Sequence, residues 1–364
     1  AAEHYFNYLK HNKTFLRSYL ADWANYPTYS DLPTSMRNGQ SWFYSHGAWS
    51  TTYSQDAETI TFVAMATNKL RGEITALPGL FGYNYYTAAD GYRYNVEPAL
   101  VASDSYLALS NSQNFYYRVG SGKNAVYAYA SVGDMRYHSS YNRVRSDKKT
   151  DLVNIIMKYE NANIPLYRTS GVYLKLAEAI NRMGHPDVAF ALLKDGWNHK
   201  LEQDTTYMTQ EGIEFLKTTV PFLTAENRVV FNDEDESREY SIGSQPLHAR
   251  GAGMTQGNQS LYKYRTEIDK KLAELGKSYP VNATASDSLK IEQDAVEDLL
   301  CDEMALELAF EGSRFSDLCR IARHKNNDNP WGSNYGSLWL RDKLKFKNSV
   351  LDLSDPNNWF MPFK

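Results

Sequence analysis

Three glutamates in the last quarter of the chain have a spacing that brings carboxylates together. Glu303, Glu307 and Glu311 recur every four residues, so we expect them on one face of a helix. Hydrolysis of a glycosidic bond needs two carboxyl groups that face each other across a sugar ring. Carboxylates one turn apart on a single helix point the same way, so the pattern favours structural ion pairs over catalysis.

The glutamates belong to two predicted amphipathic helical segments that are joined at Gly312. The apolar residues with helical spacing are Val296, Leu299, Leu300, Met304, Leu308 and Phe310 before the glycine, and Phe315, Leu318, Cys319 and Ala322 after it. On the same spacing, we expect Arg314 to pair with Glu311 and Arg320 to pair with Asp317. Both cysteines, Cys301 and Cys319, lie here, and we expect two buried free thiols.

A second group of residues could bind a ligand by stacking and hydrogen bonding. Tyrosine is the commonest aromatic residue, with 28 copies, and many rings should fill the core. One set lies instead on polar and glycine-rich segments: Trp42, Phe43, Tyr44, Trp49, Tyr83, Tyr85, Tyr86 and Tyr92. A tyrosine or tryptophan ring offers an apolar face and a polar group, which suits sugars or peptides. Asn84, Asp90 and Arg93 could fix the hydroxyl groups of a bound sugar, so the sequence predicts a ligand site here.

Other chemistries have little support in the sequence. The acidic run 233–236 lacks the glycine turn and later glutamate of an EF-hand, so a solvated loop is preferred. We predict no catalytic residue, no metal site and no cofactor, because no paired-histidine motif or phosphate loop occurs. If the protein degraded glycans, carboxylates from Glu73, Asp90 and Glu97 would have to converge. The net charge of −4 and scattered basic residues argue against nucleic acid as a partner.

The elements that must position these residues are mostly helical. A helix is predicted over 3–24, a strand over 58–66, irregular chain over 70–100, a helix over 101–109 and a helix hairpin over 170–197. In the hairpin, Gly184 ends the first helix, Pro186 begins the second, and small Ala177 and Ala179 allow close approach. The rest of the chain is predicted to comprise an insertion at 206–290 between helical elements, a helical segment at 291–324, and an aromatic tail at 330–364 that lies across the surface.

Two of these segments resemble the SusD/RagB family of nutrient-binding outer-membrane lipoproteins. The string ELAFEGSRFSDLCR at 307–320 is similar to the family's C-terminal signature, and YRTSGVYLKLAEAINRMG at 167–184 is similar to its helix-hairpin segment. Weaker likenesses are Gly133–Arg136 to a "D-x-R" site, His248–Gly253 to a glycine-rich segment and Asn357–Pro362 to a terminal "NNWYLPLP". Together they cover the chain from about residue 60 to its end.

The resemblance implies a fold and a place in the cell. The fold would be mainly α, a tetratricopeptide-like helical superhelix with long irregular loops and minor β-strands. Residues 1–364 would be the C-terminal two-thirds of a SusD-like domain, because the chain begins at Ala1 without the signal sequence and lipid anchor of the family. The full-length protein would be lipid-anchored at the cell surface, on the outer membrane.

The resemblance also implies a binding function rather than catalysis. The protein would capture an oligosaccharide or polysaccharide and deliver it to a SusC-like TonB-dependent transporter. The alternative is peptide binding within the same family, and a glycan-degrading enzyme is the third hypothesis. The family's ligand groove is lined by loop aromatics, so the predicted ligand-binding residues are the following: Trp42, Tyr44, Trp49, Tyr83, Tyr85, Tyr86, Asp90, Tyr92 and Arg93.

Overall fold

Helices make up most of the secondary structure in the computed structural model of the chain, which confirms the mainly α class. The described residues are 1–12, 59–64, 76–82, 85–119, 122–124, 126–130, 133–134, 136–137, 141–145, 151–156, 158, 163–197, 201, 204–218, 246–253, 261–327, 330–344 and 351–360. Among them are eleven α-helices and eight strands. None of these helices is long and apolar enough to cross a membrane.

The helices alternate with short strands along the first half of the chain and dominate the second half. The helices are α1 (Ala2–Asn12), α2 (Leu77–Leu80), α3 (Asp104–Asn111), α4 (Thr169–Arg182), α5 (Pro186–Lys194), α6 (Gln210–Thr218), α7 (Ala249–Ala252), α8 (Tyr264–Glu274), α9 (Ala285–Glu307), α10 (Arg314–Asn327) and α11 (Tyr335–Lys343). The strands are β1 (Thr59–Ala64), β2 (Tyr85–Thr87), β3 (Arg93–Asn95), β4 (Phe115–Val119), β5 (Val126–Ala130), β6 (Tyr141–Arg145), β7 (Leu152–Ile156) and β8 (Asn163–Arg168). They form four antiparallel two-stranded sheets: β1–β8, β2–β3, β4–β5 and β6–β7.

The helix hairpin of α4 and α5 lies at the centre of the main core. Gly184 has a positive φ of 96° and follows the end of α4, a conformation that glycine adopts without strain. Pro186 occupies the first turn of α5, as predicted. Leu176 and Ala177 are fully buried, and the long helix α9 packs against both helices of the hairpin. The hairpin therefore buries its apolar faces against a third helix, as a single helix pair must.

The signature segment consists of two helices with a turn between them, as the glycine predicted. Thr284 begins α9 with a capping box: its hydroxyl accepts from Asp287 N, and the Asp287 carboxylate accepts from Thr284 N. The helix ends at Glu307, before the glycine, and Phe310 and Gly312 both have positive φ in the turn. Backbone with positive φ cannot continue a right-handed helix, so α9 stops here and the chain turns into α10.

The aromatic tail forms a second core, which corrects the expectation that it lies across the surface. Trp339 on α11 and Trp359 are buried with Cys301, Leu318 and Ile321. Each indole also has a hydrogen-bond acceptor: Trp339 Nε1 donates to Asp298 Oδ1 at 2.7 Å, and Trp359 Nε1 donates to the Leu353 carbonyl at 2.8 Å. A buried indole with its N–H satisfied is a stable core residue.

Candidate functional site

Glu303 and Glu307, one turn apart on α9, belong to a buried cluster of ion pairs. Arg136 donates to Glu303 Oε1 at 2.5 Å, to Glu307 Oε2 at 2.9 Å and to Asp134 Oδ2 at 2.7 Å. Arg250 Nη1 lies 3.0 Å from Glu307 Oε1, and all five of these side chains are buried. The segment 133–136 thus supplies a cation, Arg136, and a carboxylate, Asp134, to a cluster on α9.

Glu311, in the turn after α9, also pairs with cations from distant segments. Arg168 donates from Nε and Nη2 to its two carboxylate oxygens at 3.1 and 2.9 Å, and Lys158 Nζ donates to Oε1 at 3.0 Å. The predicted partner, Arg314, donates instead to the carbonyl oxygen of Cys301 at 2.7 Å, so that prediction is wrong. The helix ends before Glu311, so helical spacing no longer governs which residue it meets. The predicted Arg320–Asp317 pair is confirmed at 2.6 Å.

The electrostatics of this cluster suit a structural role. Burial raises the pKa of Glu303, but Arg136 and the hydrogen bond with His248 outweigh it and hold that pKa below its usual range. Glu307 behaves in the same way, with Arg250, Arg168 and Arg136 lowering its pKa against burial. Carboxylates held ionised by guanidinium groups are poor general acids.

The best-defined part of the predicted ligand site is the turn between β2 and β3. Ala88 N donates to the Tyr92 carbonyl at 3.0 Å, and Gly91 N donates to the Ala88 carbonyl at 2.9 Å. Gly91 has a φ of 80°, which suits the position after a tight turn in a hairpin. Asp90 fixes the turn, since its carboxylate accepts from Tyr92 N at 3.1 Å and from the Tyr94 hydroxyl at 2.8 Å.

Tyr92 is presented at the surface beside an arginine. Its side chain is 59% exposed, and the guanidinium carbon of Arg145, at the end of β6, lies 5.3 Å from the centre of the ring. This distance is within the range of a cation–π contact. An exposed ring with a guanidinium against it offers an apolar face and several hydrogen-bond donors in one place.

The hairpin is held on the body of the protein at its base. Leu100 N donates to the Leu80 carbonyl at 2.9 Å, and this bond joins the two ends of the segment that contains β2 and β3. Ile156 N donates to the Phe81 carbonyl at 3.2 Å, and both side chains are buried. Tyr94 is buried on the same hairpin. The tip that carries Tyr92 is therefore supported by packing at its base and by Tyr94.

The described residues include only part of the predicted ligand site. Six of the named positions lie outside them: Trp42, Phe43, Tyr44, Trp49, Tyr83 and Asn84. The backbone of Tyr85, Tyr86 and Arg93 belongs to β2 and β3, where Tyr86 pairs with Tyr94 and Thr87 with Arg93. Sequence reasoning missed Arg145 and Tyr94. Arg145 is 53 residues from Tyr92, and no local pattern signals their contact. Tyr94 is two residues after Tyr92, so the alternation of side chains along a strand could have placed it beside the site.

Of the three carboxylates of the hydrolase hypothesis, Asp90 and Glu97 are in the described part of the chain. Glu73 lies outside it, and Glu97 is exposed. Asp90 is engaged in the turn through both of its oxygens. The acidic run 233–236 also lies outside the described residues.

One group of side chains has the composition of a metal site. Glu178, Glu297 and His324 place one ligand atom each within 4.8 Å of one another. Glu178 accepts two hydrogen bonds from Arg320 at 2.9 and 2.7 Å, and Glu297 pairs with Arg182. A divalent cation would have to displace these arginines, so the arrangement is better suited to joining α4, α9 and α10.

Comparison of the chain with models of protein families, with curated proteins and with solved structures found no match.

Proposed function

We propose that this protein is a SusD-like binding protein that captures glycans at the cell surface for a SusC-like TonB-dependent transporter. The proposal rests on the sequence resemblance and on one structural observation that supports it. Segments resembling the family at 133–136, 167–184, 248–253 and 307–320 are far apart in the chain, yet they contribute side chains to one buried ion cluster. Motifs that pack on one another are expected if they belong to a single fold.

The ligand surface of the proposal includes the β2–β3 hairpin. A glycan would stack on the ring of Tyr92, and the Arg145 guanidinium would donate to sugar hydroxyls, because planar donors and an exposed ring complement a ring of CH and OH groups. Four other aromatic residues of the predicted set lie outside the described residues, and their contact with a glycan stays a prediction: Trp42, Tyr44, Trp49 and Tyr83.

Isothermal titration calorimetry against a panel of plant, host and microbial glycans tests this function. A Tyr92→Ala variant should weaken glycan binding roughly tenfold or more, as loss of a central aromatic contact typically does. Tyr167→Ala is a matched control, because Tyr167 has the same exposed fraction of 59% but lies on β8. Equal loss in both variants would show that Tyr92 has no special role.

Other outcomes would select the alternatives. Binding of peptides and of no glycan would favour the peptide-binding hypothesis, and new reducing ends on a bound glycan would favour the hydrolase hypothesis. A pull-down of the protein from outer membranes should recover a TonB-dependent barrel in near-equal amount. Recovery of a soluble enzyme alone would overturn the transporter partnership.

A further inference from the structure

A cavity of about 810 Å³ lies between α3, α8 and α9. Phe81, Leu100 and Ile156, at the base of the β2–β3 hairpin, also line it, whereas Tyr92 and Arg145 do not. The turn between α9 and α10 also lines it, through Phe310 and Arg314. Its volume is within the roughly 300–1,000 Å³ that pockets for small molecules occupy. Apolar side chains such as Leu109, Met304 and Leu308 contribute much of the wall, so the cavity suits a ligand with an apolar body.

One carboxylate in this wall has no partner among the described residues. The side chain of Glu267, on α8, is 7% exposed, lines the cavity, and makes no hydrogen bond or ion pair in the described part of the chain. Burial raises its pKa, an effect that Lys270, His248 and Lys271 partly oppose. Its carboxylate oxygens are not fully enclosed by protein atoms, so they face the open space of the cavity, where a ligand can contact them.

The other carboxylates in the wall of the cavity have cationic partners, and Glu274 pairs with Lys271. Asp302 accepts from Lys271 at 2.7 Å and from Lys343 at 2.9 Å. Glu303 pairs with Arg136 and His248 in the ion cluster. Lys270, which is on the same helix and also lines the cavity, is exposed and makes no ion pair among the described residues, and of the nearby cations it lowers the pKa of Glu267 most. Glu267 is thus the carboxylate in this wall that is available to a ligand.

The rest of the wall favours neither sign of charge. α3 lines the cavity at both of its ends, through Ser103 and Ser105 as well as through Ala108 and Ser112, so its dipole contributes partial charges of both signs. The ring of Tyr262, also in the wall, stacks on His248 and Phe190, with ring centres 4.1 and 5.2 Å away. Glu267 is therefore the group that would fix the position of a ligand cation.

We propose that this cavity binds a primary amine carried on an apolar or aromatic body, with the ammonium group beside Glu267 and the body against Leu109 and Met304. An ammonium group supplies the donors that Glu267 lacks, and it replaces the lost hydration of the carboxylate with an ion pair. The apolar body gains by leaving water for the rest of the wall. The proposal does not depend on glycan binding at Tyr92.

Tryptamine and tryptophol are suitable probes, because they share an indole body. Tryptamine carries an ammonium group where tryptophol carries a hydroxyl group. In calorimetry near neutral pH, tryptamine should bind the parent protein about tenfold more tightly than tryptophol, the effect of one charge-assisted contact. Glu267→Gln should remove this difference and leave tryptophol binding unchanged. Equal binding of the two probes by the parent, or binding of neither, would overturn the proposal.

Lys270→Gln provides a variant with the opposite expected sign. Lys270 opposes the rise in the pKa of Glu267 and competes with a ligand cation for it, so its removal should tighten tryptamine binding and leave tryptophol unchanged. A loss of tryptamine affinity in this variant would contradict the assignment of Glu267. This test needs no substitution of a buried residue, so it does not depend on how Glu267→Gln folds.

The location of the bound probe has its own readout. With methyl-labelled methionine, the NMR signal of Met304 should shift on addition of tryptamine, because Met304 lines the cavity. The signal of Met183, which is half exposed at the end of α4, should stay in place. Shifts at Met183 without shifts at Met304 would place the amine elsewhere and overturn the proposal.

Discussion

Glu307 Oε2 and Arg136 Nη1 are 2.9 Å apart, although 171 residues separate them in the chain. Both side chains are buried, and Glu307 also contacts Arg168 and Arg250. Among the described residues, four carboxylates meet three arginines and one lysine in this cluster: Asp134, Glu303, Glu307 and Glu311 with Arg136, Lys158, Arg168 and Arg250. Each charge has an opposite charge beside it, so removal of one charge reduces the compensation of its neighbours.

Glu307→Gln should lower the free energy of unfolding by about 3–5 kcal/mol, because it removes a buried negative charge that Arg136, Arg168 and Arg250 share. Urea denaturation measures this change. Glu274→Gln is the control: Glu274 forms a half-exposed ion pair with Lys271, and such a pair contributes about 1 kcal/mol or less. If both variants unfolded at the same urea concentration, the cluster would have no special structural role.

Leu176→Asp should destabilise the protein by several kcal/mol, because Leu176 is fully buried between the hairpin and its neighbours and a carboxylate there has no partner. Leu176→Met keeps the volume and should cost less than about 1.5 kcal/mol. Thermal melting of the two variants checks the prediction. A Leu176→Asp variant that melts like the parent would contradict the packing of α4.

Lys158 should make stability rise with pH in the alkaline range. Burial lowers its pKa to about 8 in the folded protein, against 10.5 when exposed, and Glu311 offsets part of that effect. Between these two values the unfolded chain binds more protons than the folded chain, so the contribution of Lys158 to stability increases as pH rises. Below pH 8 both states are protonated, and the contribution is constant.

The measurement compares the parent with Lys158→Met. The free energy of unfolding of the parent minus that of the variant should rise by roughly 1 kcal/mol per pH unit between about pH 8 and pH 10. The difference between the two proteins removes the titration of tyrosines, which both share. Parallel stability curves across this range would show that the Lys158 pKa is not lowered.

Cys301 and Cys319 should be unreactive in the native protein. Both are free and buried, and burial raises the pKa of each thiol, so little thiolate is available. A colorimetric thiol assay should detect no rapid reaction in native buffer and two thiols per chain in guanidinium chloride. Rapid modification of either cysteine without denaturant would contradict the described burial, and fewer than two thiols in denaturant would indicate oxidation.

Much of the local structure could be predicted from the sequence, because it depends on neighbouring residues. The hairpin of α4 and α5 follows from its apolar spacing, with Gly184 and Pro186 marking the turn. The prediction of a strand near 58–66 is matched by β1, and that of a helix over 101–109 by α3. The predicted Arg320–Asp317 pair, three residues apart on one helix, is also present.

The tertiary structure decided which side chains meet across the chain. Glutamate spacing predicted one acidic face, but the cations that cover it come from segments 57 to 171 residues away, which no local period reveals. The same reason explains the misplaced partner of Arg314, the unpredicted contact of Arg145 with Tyr92 and the burial of Trp339 and Trp359. Sequence patterns specify which face of an element is polar or apolar, whereas packing between distant elements specifies the partner that the face receives.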